Sequence, residues 1–232
     1  MDSEIAEAIH HQVLAALWEC CPPGFINRLQ KEGVLCRMKA PIVEDALAFA
    51  LKDPAACQSP MHVLTGYTSF RALLHYRMAH TVFQHFPSDL EASTCCALIS
   101  SRGQWLSGAD IHHRSRLGKR LVLDHAVGTV IGETCVIGDD AYILGGVTLG
   151  AAGIAGNPAS ARHPRLGDRV QVGAFARILG LVTIGNDVFI GPHCTITQDV
   201  PANTRITLKS NLQIQRKGLR HEVPAQNPQA LL

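Results

Sequence analysis

A chain of 232 residues, 47% of them hydrophobic, can bury one large core or two modest ones. Its 21 lysines and arginines against 19 aspartates and glutamates leave a net charge of only +2, and the one basic cluster, Arg114 to Arg120, is too short for a nucleic-acid surface. No apolar run reaches the roughly 20 residues that a bilayer span needs, and Asp2, Glu4 and Glu7 make the N-terminus unlike a signal peptide.

These features point to a cytoplasmic protein with a small-molecule partner and neither a nucleic-acid nor a membrane partner. The eight cysteines include the adjacent pairs Cys20, Cys21 and Cys95, Cys96 but no C-x-x-C, which reads as reduced, mostly buried thiols.

In chain order, Ile5, Ile9, Val13, Leu14 and Leu17 recur at helical spacing and stop at Pro22, Pro23, Gly24. Similar runs cover about Ile26 to Met38, Ile42 to Leu51 and Val63 to Phe86, with Pro41, Asp53-Pro54 and Pro87 as punctuation. Residues 1–108 therefore read as a helical domain.

Beyond Asp110 the period becomes six. One phase runs through Ile131, Ile137, Ile143 and Leu149, and a second through Leu166, Val172, Ile178, Ile184, Ile190 and Ile196. Gly follows the aliphatic at several of these positions, and Val170, Ala176, Val182, Val188, Cys194 and Val200 fill the fifth place of each hexad. A period of six suits short strands joined by tight turns, three hexads to a triangular coil, each coil burying its face on the next. The register breaks over 151–165, a loop with two prolines that carries Arg162 and His163, and a loop of that length within a compact repeat reads as a substrate loop.

His125 stands at the phase where later hexads place Ile131 and Ile137, so a histidine replaces an interior aliphatic; the alternative is a turn histidine in an imperfect first coil. With Asp124 beside it and Asp110 upstream, it could serve as a general base oriented by a carboxylate.

The chain resembles the serine O-acetyltransferases in DIH at Asp110 to His112, LDHAVGTVIGET at Leu123 to Thr134, VTLG at Val147 to Gly150, RHP at Arg162 to Pro164 and GAFARILG at Gly173 to Gly180. DPA at Asp53 to Ala55 and YRMAH at Tyr76 to His80 extend the similarity into the helical half. The resemblance implies an α+β chain: a helical domain, then a left-handed parallel β-helix of hexapeptide repeats over 109–215 and a tail over 216–232. It implies acetyl transfer from acetyl-CoA, a co-substrate rather than a resident cofactor, to the hydroxyl of serine.

By resemblance, His125 is the base and Asp110 its partner. Asp53, Asp124, Arg162 and His163 surround the amino acid, and backbone near Gly150, Ala151, Ala174 and Gly191 follows the pantetheine arm. The resemblance also implies a trimer or a dimer of trimers, and a sulfhydrylase partner docked through the C-terminus.

This chain departs from the family pattern at His113, at Ala151, at Leu208 to Asn211 and at its end, Leu231, Leu232. A homoserine-type acceptor and a non-catalytic scaffold are the alternatives. No metal is expected, because the H-x4-H spacings of His75, His80 and His85 fall in the helical half while His125, His163 and His193 lack that spacing.

Overall fold

A computed structural model of the chain describes residues 2–209, so Ser210, Asn211, Leu231, Leu232 and the tail expected over 216–232 lie outside the described residues. Six helices come first: α1 (Asp2–Cys20), α2 (Pro23–Lys31), α3 (Val34–Lys52), α4 (Pro60–Gly66), α5 (Thr68–His85) and α6 (Leu90–Ser107). In α1 the predicted stripe of Ile5, Ile9, Val13 and Leu17 is buried in the helical core. Pro23 starts α2, where a missing N–H costs nothing, and Gly33, at φ +69°, separates α2 from α3.

The structure corrects the expected helix boundaries. The run Ile26 to Met38 is split at Gly33. Pro41 does not punctuate: it lies inside α3, which continues through it at the loss of one backbone hydrogen bond. The run Val63 to Phe86 is divided at Tyr67, and α6 follows Pro87 as a helix of its own, capped at its start by the Asp89 side chain and closed by Gly108 at φ +74°.

From Asp110 the chain winds as a left-handed parallel β-helix with three faces. The first face stacks the strands beginning at Asp110, Val130, Thr148, Arg177 and Thr195; the second those at Arg116, Val136, Arg165 and Thr183; the third those at Val122, Tyr142, Gln171, Phe189 and Arg205. All pairings are parallel and in register, with Ile131 beside Leu149 and Ile143 beside Val172. The aliphatics of both predicted phases form the buried column along the axis.

From Asp110 to Thr195, successive strands start six residues apart except at two places. Val122 to Val130 is eight residues, and Thr148 to Arg165 is seventeen. The first break overturns the reading of His125 as an interior residue. The two extra residues shift the register, so Leu123 takes the interior seat and the His125 side chain is 82% exposed at the corner between the third and first faces. Its φ of +57° is not special strain, because corner residues Arg120, Asp140, Arg169, Asp187, Phe175 and His193 share the left-handed conformation.

The helices are fastened to the β-helix by a buried ion pair. Arg77 on α5 bonds Asp45 on α3 through Nε (2.7 Å) and Nη2 (3.1 Å), and also donates to the carbonyls of Leu117 and Gly118. Asp45 in turn accepts the Leu121 N–H at 3.0 Å. Tyr76 adds a second fastening, donating to the Ser115 carbonyl and accepting from Leu117 N–H.

Removing one partner of such a pair strands a buried charge. Asp45→Ala should therefore lower unfolding stability by about 3–5 kcal/mol in urea titration, and Asp45→Ala with Arg77→Met should cost less than the sum of the two single changes.

Candidate active site

The corner after the third face, residues 124–129, carries the first group of candidates. Gly128 turns with φ +76° and donates to the Gly108 carbonyl, while Asp110 N–H donates to the Thr129 carbonyl, both at 2.8 Å. The corner thus lies alongside the strand of Asp110 and the end of the helical region.

A cleft of about 410 Å³ opens there, lined by Asp53, Tyr67, Ser69, Asp124, His125 and Val127. Asp53 is the residue at which α3 ends, and its Oδ1 accepts the Ala55 N–H at 3.0 Å, which caps the short 3-10 turn that follows. Its Oδ2 accepts from Tyr67 Oη at 2.8 Å. Across the cleft, Asp124 Oδ2 accepts from Tyr142 Oη at 3.2 Å and lies 3.6 Å from His125 Nε2.

The sequence reading joins His125 to Asp110; in the structure its carboxylate neighbour is Asp124. Asp110 stands exposed on the first face, and no hydrogen bond links it to His125 among the described residues.

The second group sits at the opposite edge of the first face, where the eleven extra residues are inserted. Arg162 Nη2 is 2.6 Å from Glu133 Oε2, and that guanidinium holds the Glu133 carboxyl below its ordinary range. Thr134 organises the turn: its Oγ1 accepts the N–H of Arg162 (3.0 Å) and of His163 (3.2 Å), and its own N–H donates to His163 Nδ1 at 3.2 Å. A backbone donor on Nδ1 leaves the proton of neutral His163 on Nε2. That ring is seated over Gly132, where an added Cβ would meet Nε2 at 2.1 Å, so this glycine is needed for close approach.

The candidates for the pantetheine path divide the same way. Gly150 and Ala151 lie toward the Arg162 edge, and Ala174 and Gly191 toward the His125 edge. The candidate residues therefore fall into two groups at the two edges of one face.

A larger hollow of about 730 Å³ lies on the third face beyond Tyr142, between Lys52, Asp140, Arg169, Asp187 and Phe189. Its charges are already paired, Arg169 with Asp187 and Lys52 with Asp140, and no histidine lines it. The smaller cleft has the better chemistry. Tyr67, Tyr142, Glu133 and Thr134 are absent from the sequence-level candidates; each is a single polar residue with no periodic signal, although Glu133 and Thr134 close the LDHAVGTVIGET motif.

The bacterial transferase hexapeptide family (six repeats) matches residues 163–198. A serine acetyltransferase of Synechococcus elongatus is 37% identical over 169 residues, 73% of this chain and 66% of that protein, so the match spans just under two thirds of the relative. One from Helicobacter pylori is 39% identical over 153 residues, 66% of this chain and 84% of the relative. The crystal structure of Neisseria gonorrhoeae serine acetyltransferase in complex with serine superposes with a TM-score of 0.71 at 30% identity, covering 88% of this chain and 80% of that one.

Burial lowers the proton affinity of His80, His112, His113 and His163, which surround the Arg162 edge, and takes His113 to about 4. A histidine with a depressed folded value favours the native state while neutral, and that contribution is lost as pH falls below the unfolded value of about 6.5 and through the folded one. The urea midpoint should therefore fall between about pH 7.5 and about pH 4.5, and His113→Asn should flatten that fall.

Proposed function

The chain belongs to the serine acetyltransferase family, and on that premise we propose that it transfers the acetyl group of acetyl-CoA to the hydroxyl of L-serine, giving O-acetylserine and free CoA. The observation that carries the reading is His125, an exposed imidazole at an enlarged corner, beside Asp124 and opposite Asp53 in a cleft of amino-acid size.

His125 Nε2 takes the proton from the serine hydroxyl as its oxygen attacks the thioester carbonyl. The tetrahedral intermediate then collapses to expel the CoA thiolate, which recovers the proton from the imidazolium. Asp53 and Asp124 take the acceptor's ammonium. Once Asp124 is engaged there, the imidazole turns to Asp110, on the strand beside its corner, and that carboxylate supports the charged ring. Backbone amides near Gly150 and Ala151 stabilise the oxyanion, while Ala174 and Gly191 border the pantetheine arm.

Arg162 and His163 supply the carboxylate-binding half. Both lie at the far edge of the face that carries Asp110, which supports a trimer in which one copy's Arg162 edge closes on the next copy's His125 edge. Arg162 then exchanges Glu133 for the acceptor's carboxylate, a planar fork-to-fork contact that a lysine would not reproduce.

The test is thiol release from acetyl-CoA over a panel of serine, homoserine and ethanolamine. Serine should be preferred, and His125→Ala should lower kcat by about 10²- to 10⁴-fold with the fold intact. No release with any of these acceptors would favour a scaffold, and preference for homoserine would keep the chemistry and move the substrate.

A further inference from the structure

Two tyrosines that the transfer chemistry does not use each donate a hydroxyl to one of the two acids of the cleft. Tyr67 Oη is 2.8 Å from Asp53 Oδ2, and Tyr142 Oη is 3.2 Å from Asp124 Oδ2. They approach from different parts of the molecule. Tyr67 is the single residue between α4 and α5, its ring edge-on to Phe49 at 5.1 Å. Tyr142 belongs to the third face of the β-helix and packs against the helical core.

The arrangement leaves each carboxylate fixed but not used up. A carboxylate has about four lone-pair sites. Asp53 spends one on Ala55 N–H and one on Tyr67, and Asp124 spends one on Tyr142. Both acids line the same cleft of about 410 Å³, so their remaining sites are available to a cation bound there. The phenols stay protonated donors throughout the working pH range: burial, followed by the bond to Asp53, pushes Tyr67 up to about 12, and burial beside Asp124 raises Tyr142 as well.

Without these bonds each carboxylate would turn over a broad torsional well, and fixing it would fall to the arriving ammonium. We infer that Tyr67 and Tyr142 are positioning residues that pre-set Asp53 and Asp124 as a two-carboxylate receptor for the acceptor's ammonium group, and so set the preference for an amino acid over a plain hydroxy acid. This rests on the reading of the cleft as the acceptor site.

The experiment compares the full-length enzyme with Tyr67→Phe and Tyr142→Phe, each retaining the aromatic body, using serine and 3-hydroxypropionate, which lacks only the amine. Each change should raise KM for serine about tenfold while kcat, KM for acetyl-CoA and the thermal midpoint stay close to the parent. KM for 3-hydroxypropionate should not move, so the preference for serine shrinks by the same factor.

An unchanged serine KM in both variants overturns the inference while leaving the acceptor site in place. An equal rise for both acceptors, or a rise for acetyl-CoA, also overturns it by assigning the tyrosines to general structure. A parent enzyme indifferent to the amine removes the acid-pair reading itself, and the inference with it.

Discussion

The bidentate contact between Arg77 and Asp45 is the constraint from which the geometry of the cleft follows. Both side chains are withdrawn from water, and each satisfies its remaining capacity on backbone of the β-helix, at Leu117, Gly118 and Leu121. The pair therefore works as a rivet more than as a source of stability, since desolvation offsets much of its attraction. It fixes α3 midway along. Toward the C-terminal end of α3, Lys52 donates to the carbonyls of Arg120 and Asp140, and the next residue, Asp53, is delivered to the cleft. An acid from the helices and an acid from the β-helix thus face one another only because α3 is docked.

The β-helix contributes rigidity through repetition and chemistry through its exceptions. Where the period of six holds, every coil lies in register on the next, which fixes the backbone from which its outer residues project. Where it fails, the chain leaves the prism without disturbing the strands above and below. Two extra residues expose His125; eleven extra residues carry Arg162 and His163, pinned by Thr134 and seated on Gly132. Functional groups on short loops held by a rigid frame meet the need for precise placement.

Much of this was legible in the sequence because the signal was redundant. Ten aliphatics in two phases, with glycines behind them, specify the strands and the buried column together. The helical half is less legible, because its boundaries depend on single residues: Gly33 breaks a run that looks continuous, and Pro41 fails to break one. The place of His125 is ambiguous in the sequence for a numerical reason, and the structure favours the turn histidine. It lies six residues before Ile131, so it mimics the interior phase, and only the alignment of Leu123 with Ile143 reveals the insertion. The YRMAH motif looks like a sequence marker, but in the structure Tyr76 and Arg77 dock the helices on the β-helix. Tyr67 and Tyr142 carried no pattern at all, since a lone tyrosine reads as core until its hydroxyl is seen to have a partner.

In the proposed trimer a working site is made from the His125 edge of one copy and the Arg162 edge of another. It is tested by mixing two variants, His125→Ala and Arg162→Ala, each nearly inactive alone at low serine, after dissociation and joint reassembly. A shared site predicts that thiol release returns to about a quarter of the parent level in an equimolar random mixture, because that share of interfaces pairs two intact halves. A mixture no more active than its separate components, with mixed oligomers demonstrated by mass, would contradict a shared site.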